Sequence, residues 1–234
     1  MNAGRPAERV GHTGNVLGTS IIFDFDGVLI DSRFAVSHCM NRALAAHGLP
    51  ERPPEELYRY IGPPTSIAFA DLLGVPPEAP FVAEVIRSYR ECYGATAVEN
   101  TRVFDGIPEA LTELASTHRL AVATSKPLPF AEQLLRGLGL RDRFAAVAGP
   151  ALDAADDKTA TLAAALDALG PTRAVMIGDT TFDIVAAIAH GMPGIGVAWG
   201  IGDPADLEAA GATRIVAAPG ELPGAVADAL APVG

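Results

Sequence analysis

The chain has 234 residues, of which 49% are hydrophobic and only 6% aromatic, and carries a formal net charge of −11. That length fits one α/β unit, or a core carrying a smaller insert, with ample apolar material for packing. No basic cluster offsets the negative charge, so a nucleic-acid polymer and an anionic membrane surface are excluded as partners.

Residues 1–18 contain Gly, Pro and mixed charges but no continuous apolar run, and are read as a loose extension without chemistry. No apolar run approaches membrane-spanning length, which points to a soluble, cytoplasmic protein. Ser20–Phe25 is an apolar stretch ending in acid, the pattern of a buried central strand.

From Arg33 to about Glu99 the pattern is helical throughout, over Ala35–His47, Pro54–Tyr60, Ser66–Leu73 and Phe81–Tyr93. Breaks fall at Gly48-Leu49-Pro50, Gly62-Pro63-Pro64 and Gly74-Val75-Pro76-Pro77. This is read as an all-helical insert after the first strand. The two cysteines, Cys39 and Cys92, lie within it and form no CxxC motif. They predict helix packing without a disulfide framework or zinc site, which fits a reducing compartment.

Beyond Thr101, short apolar runs alternate with helical ones. Strands are expected at Leu120–Ala123, Phe144–Ala148, Ala174–Ile177, Gly194–Val197 and Arg214–Val216. Helices are expected at Pro108–Thr117, Phe130–Leu138, Lys158–Leu169, Phe182–His190, Pro204–Ala210 and Leu222–Leu230. The alternation predicts βαβ units and a parallel sheet covered on both faces, with ligands beyond the carboxyl ends of the strands.

Each strand end delivers a different chemistry. The first carries Asp24-Phe25-Asp26-Gly27, two carboxylates one residue apart on extended chain, which point the same way. They repel unless a cation or proton lies between them, and Mg²⁺ suits such oxygen-rich clusters. One could attack phosphorus while the other exchanges a proton with the leaving oxygen. The bland reading is an Asp-rich turn.

The next strand ends in Thr124-Ser125-Lys126, offering the Thr124 hydroxyl and the Ser125 amide to a phosphoryl oxygen; a buried strand-end threonine is otherwise structural. Lys158 opens a helix, where its charge opposes the macrodipole by roughly 0.3–1 kcal/mol. Asp156 and Asp157 offset the conflict, and a bound phosphate would remove it. Asp179 and Asp183 share one face of another helix start, either as capping acids or as a second acidic arm. Together these groups supply what phosphoryl transfer needs: a nucleophile, a metal and donors to the equatorial oxygens.

The series Asp24-Phe25-Asp26-Gly27-Val28-Leu29 with Asp31-Ser32, then Thr124, Lys158 and Gly178-Asp179 with Asp183, resembles the four motifs of the haloacid dehalogenase superfamily. The resemblance runs from Ile21 onward. It implies a Rossmann-like, doubly wound parallel core (19–33 and 100–234) with a helical cap (34–99).

The roles follow from the same resemblance. Asp24 would be nucleophile and Mg²⁺ ligand, and Asp26 the general acid/base with its backbone carbonyl on the metal. Gly27, Thr124, Ser125 and Lys158 would hold phosphate, Asp179 would bind metal, and Asp183 would support the metal site. Superfamily dehalogenases lack the second acid, so Asp26 points to phosphate chemistry.

Tyr60-Ile61-Gly62-Pro63-Pro64, Ala123-Thr124-Ser125-Lys126-Pro127 and Met176-Ile177-Gly178-Asp179 look most like the phosphoglycolate-phosphatase and bacterial 5′-nucleotidase-like branch, with departures at Thr65 and Gly149-Pro150. The resemblance thus implies a small phosphate ester as substrate. A monomer or homodimer is expected. A phosphorylatable receiver-like protein, or a phosphomutase or pyrophosphatase on the same core, are the alternatives.

His12, His38, His47, His118 and His190 lack metal-ligand spacing. Trp199 is expected to pack, with the cleft edge as its other option. Arg42, Arg59, Arg87 and Arg90 are expected to be largely solvated, with selection of an anionic substrate tail as the alternative.

Overall fold

The structure is a computed structural model that describes residues 18–152, 154 and 157–231. The extension up to residue 17, with His12, and Asp156 lie outside the described residues. Strand β1 (Thr19–Phe23) is buried from Ser20 onward, as a strand with neighbours on both edges must be. The apolar pattern extends two residues further because Asp24 still donates its N–H to the Ile177 carbonyl at 2.8 Å.

The chain then leaves the core through β2 (Ile30–Asp31) and enters four helices. These are α1 (Arg33–Ala46), α2 (Pro54–Leu57), α3 (Thr65–Leu73) and α4 (Pro80–Asn100). It returns through β3 (Arg102–Val103), which pairs antiparallel with β2. Neither two-residue strand is long enough to show a period, so sequence patterning gave no sign of the ribbon.

Helix α4 continues seven residues past the expected end at Tyr93. Gly94 costs a helix about 1 kcal/mol relative to alanine. Its carbonyl accepts Gln133 Nε2 at 2.6 Å, and Ala97 behind it is buried, so tertiary contacts override the local preference. At Tyr58–Tyr60 the expected single helix tightens into a 3₁₀ turn.

A second correction concerns the cysteines. Cys39 on α1 and Cys92 on α4 are joined as a disulfide, with Cα atoms 5.5 Å apart. The bridge spans 53 positions of sequence, so only the docking of α1 on α4 could reveal it.

The rest alternates regularly: α5 (Ile107–Ala115), β4 (Arg119–Ala123), α6 (Leu128–Gly137), β5 (Ala146–Ala148), α7 (Lys158–Leu169), β6 (Arg173–Gly178), α8 (Thr181–Ala189), β7 (Gly194–Val197), α9 (Pro204–Ala209), β8 (Arg214–Val216) and α10 (Leu222–Ala229). The strands form one parallel sheet in the order β5-β4-β1-β6-β7-β8.

Period-two alternation sends Ile21, Phe23, Leu120, Val122, Val175 and Ile177 to one face. Ile22, Ala121, Ala123 and Met176 go to the other, against Leu162 and Ala165 of α7 and Ala186 and Ala187 of α8. Alanine on both sides lets these helices lie close to the sheet.

The strands that follow β1 in the core lie on opposite sides of it, so a crevice opens at its carboxyl end. Among the described residues, no helix is long and apolar enough to cross a membrane.

Candidate active site

The crevice collects charge from four strand ends. Asp24 follows β1 directly and is 8% exposed. Its Oδ1 accepts Lys158 Nζ at 2.6 Å. The same ammonium lies 2.8 Å from Asp183 Oδ1. Lys158 is buried at the first position of α7, where Asp157 caps the helix by accepting from the Thr159 and Ala160 amides. The conflict with the macrodipole is thus answered by two carboxylates facing the lysine and one capping behind it.

Asp179 ends the segment after β6 and is fully buried. Its Oδ2 accepts the Ile201 amide at 2.8 Å, while its Oδ1 is buried without a partner. Asp183 is both a capping acid and a member of the buried carboxylate cluster. Its Oδ2 accepts Thr180 N and Oγ1 at 3.0 and 2.8 Å, and its Oδ1 faces Lys158.

Oxygens of Asp24, Asp179 and Asp183 all lie within 4.8 Å of one another. Three buried carboxylates against one ammonium leave negative charge uncompensated, which is costly in a low-dielectric site. Burial, opposed by Lys158, pushes Asp24 up to about 7; Asp183 and Asp26 add to the rise. Burial, then Asp24 and Asp183, push Asp179 up to about 8. Burial works against the Lys158 ammonium, but Asp183 and Asp24 outweigh it and hold it charged. An all-oxygen donor set with an orphaned carboxylate oxygen fits a hard divalent cation. No histidine belongs to this cluster.

Asp26 stands apart from the three. One carboxylate oxygen accepts the Ser32 hydroxyl, and the other lies 3.1 Å from Lys126 Nζ. Thr124 and Ser125 sit past the end of β4, beside β1, with Thr124 1% exposed and its Oγ1 accepting the Lys126 amide at 3.1 Å. Gly27 has φ +81°, and a Cβ there would fall 2.0 Å from Asp179 Oδ2, so its missing side chain is what admits that acid.

Several contributors were not singled out from sequence. Gly200 and Gly202, in the loop after β7, are held against Asp179: a Cβ would meet its Cβ at 2.2 Å and its backbone oxygen at 2.1 Å. The loop's glycine spacing was the available signal, though many loops share it. Trp199 is half-buried, packs against the core and donates to the Val28 carbonyl at 3.1 Å. Arg59 is tied to Tyr60 and Asp71, Arg90 donates to the Leu152 carbonyl, and Arg42 and Arg87 are exposed.

A doubly wound core with a helical insert, and a buried aspartate cluster held on a lysine at the switch point, define a haloacid dehalogenase-like hydrolase. The chain belongs to that family, whose profile matches residues 21–197. It is 35% identical over 194 residues to a 5′-nucleotidase of Pseudomonas aeruginosa, covering 81% of this chain and 87% of the relative. It is 31% identical to a phosphoglycolate phosphatase of Pectobacterium atrosepticum, over 77% of this chain and 80% of the relative. It is also 36% identical to the tyrosine-protein kinase PtkA of Mycobacterium tuberculosis, over 78% of this chain and 62% of that protein. Among solved structures, a predicted phosphatase from Clostridium acetobutylicum superposes with a TM-score of 0.82 at 29% identity, covering 92% of this chain and 100% of that one. Within the family, the chain is a phosphatase.

Proposed function

We propose that the protein is a Mg²⁺-dependent phosphomonoester hydrolase for small organic phosphates that works through an aspartyl phosphate on Asp24. The observation that carries this reading is the buried Asp24 carboxylate, held at 2.6 Å by Lys158 beside Asp179 and Asp183. Asp24 and Asp179, with the Asp26 carbonyl, would hold the metal, and Asp183 would support it. Bound Mg²⁺ would neutralise the carboxylate cluster and the substrate phosphate.

In the first half-reaction an Asp24 carboxylate oxygen attacks phosphorus and the ester P–O bond breaks. The leaving oxygen takes a proton from Asp26. In the second, Asp26 takes a proton from water. The resulting hydroxide attacks phosphorus, and the bond to Asp24 breaks to release phosphate. Lys158, the Thr124 hydroxyl and the amides of Gly27 and Ser125 would steady the equatorial oxygens. The core (19–33 and 100–234) would carry this chemistry and the cap (34–99) would select the ester, with residues 1–18 dispensable.

The names of two relatives favour a nucleoside 5′-monophosphate or phosphoglycolate as substrate. The reading includes a monomer or homodimer in the cytoplasm, where small phosphate esters are made and consumed. The Cys39–Cys92 bridge removes the absence of disulfides as support for that location.

The test is phosphate release from these two substrates, sugar phosphates, pyrophosphate and an aryl phosphate, with Mg²⁺ and with EDTA. Asp24→Asn is expected to lower turnover by at least about 10³-fold; unchanged turnover would remove Asp24 as nucleophile. One relative's name also favours a phosphotransferase reading. Transfer from ATP to a tyrosine peptide, exceeding ester hydrolysis, would sustain it instead.

A further inference from the structure

Lys126 is the second lysine of the crevice, and the reaction above gives it no task. Its side chain is 8% exposed. A buried ammonium is tolerated only where partners replace its water. Lys126 has two: Asp26 Oδ2 at 3.1 Å, and the hydroxyl of Tyr93, to which it donates at 2.8 Å.

Tyr93 belongs to α4, the last helix of the insert, and is 1% exposed. Its ring is fixed between Tyr89 of the same helix and Phe130 of α6 in the core, with centroids 5.5 and 5.3 Å away. Burial, reinforced by Asp26, holds its hydroxyl neutral, so it remains a hydrogen-bonding partner and does not become a counter-ion. The opposite oxygen of Asp26 accepts from Ser32, just before α1 begins. The Asp26 carboxylate is therefore gripped at both oxygens, once directly by the chain entering the insert and once, through Lys126, by the helix leaving it.

We propose that Lys126 is a positioning residue for the Asp26 carboxylate, and that Tyr93 sets the lysine's place from the insert, so that docking of the helical insert on the core fixes where the acid/base sits. This rests on the reading that Asp26 is the acid/base. Lys126 touches neither phosphate nor leaving group; it acts through Asp26.

A general acid matters in proportion to the reluctance of the leaving group, and it contributes about 10²–10⁴-fold. Displacing it should forfeit part of that on poor leaving groups only. Lys126→Met and Tyr93→Phe are compared with wild type on an alkyl phosphate and on a dinitrophenyl phosphate, in Mg²⁺. Lys126→Met is expected to lose about 10–100-fold in kcat on the alkyl ester and under about 3-fold on the activated aryl ester. Tyr93→Phe, which removes one hydroxyl and keeps the ring, should show the same pattern at smaller size. In an Asp26→Asn background, Lys126→Met should cost nothing more.

Equal losses on both esters, or a further loss in the Asp26→Asn background, would overturn the proposal and place Lys126 directly on the substrate. Should Lys126→Met fail to fold, Tyr93→Phe alone decides by its leaving-group pattern. Asp26→Asn, if it lacked that pattern itself, would defeat the acid/base reading separately.

Discussion

The core and the helical insert use their charged residues in opposite ways. In the core, Asp24, Lys158, Asp179 and Asp183 are buried and cluster together from three strand ends. In the insert, Arg59 pairs with Asp71 at the surface, both well exposed, where such a pair adds little to stability. Core charges are held against a strong desolvation penalty, so their positions are dictated by the fold. Most insert charges lie exposed to solvent. This is why the class of reaction is far easier to read from this molecule than the identity of the ester.

The largest effect that would sharpen the contrast lies in the insert. Removing the Cys39–Cys92 bridge by Cys39→Ser, or by reductant on the wild type, should lower stability by about 2–4 kcal/mol. Turnover at temperatures where the fold is intact should hold, since neither cysteine reaches the carboxylate cluster. A denaturant melt with and without reductant checks this; identical midpoints would show that the bridge contributes nothing.

Smaller, and in the core, is Gly200→Ala. The added methyl must displace Asp179, so Mg²⁺ affinity should fall about 10–100-fold, read from the Mg²⁺ dependence of the melting temperature without substrate. Unaltered Mg²⁺ dependence would mean the loop yields freely.

The smallest effect is pH dependence without metal. Asp24 and Asp179 have folded-state values of about 7 and 8, above the ordinary 3.8, so the folded state binds their protons more tightly than the unfolded chain. Their contribution is complete below about pH 3.8 and lost as pH rises through 7 and 8. In EDTA, stability should therefore fall between pH 5 and pH 8 by on the order of 1 kcal/mol or more. Asp179→Asn, with a neutral amide, should flatten that decline and exceed wild type at pH 8. A melting temperature that rises with pH in EDTA would contradict the assignment.

Much of the fold was legible because its signals are local. The helix Lys158–Leu169 and the strands Gly194–Val197 and Arg214–Val216 have the expected bounds, since capping acids, glycines and apolar runs mark their ends. The carboxylates were legible through position at strand ends. Lys126 was passed over because Thr124-Ser125-Lys126 resembles any polar strand end. Nothing in that tripeptide reveals that the lysine turns toward Tyr93, 33 positions earlier.

Local patterning was enough to specify the alternation of strands and helices, the helical character from Arg33 to about Glu99 and the residue types offered at each strand end. These follow from periodicity and chain connectivity, which need no knowledge of distant neighbours. Tertiary structure alone decided that Asp183 joins Asp24 and Asp179 around one space, and that Gly27, Gly200 and Gly202 make room for Asp179. It also decided that two cysteines 53 positions apart meet, and that Lys126 binds both Asp26 and the insert. Each of these is a contact between segments remote in sequence, and only the packing of helices on the sheet brings such segments within bonding distance.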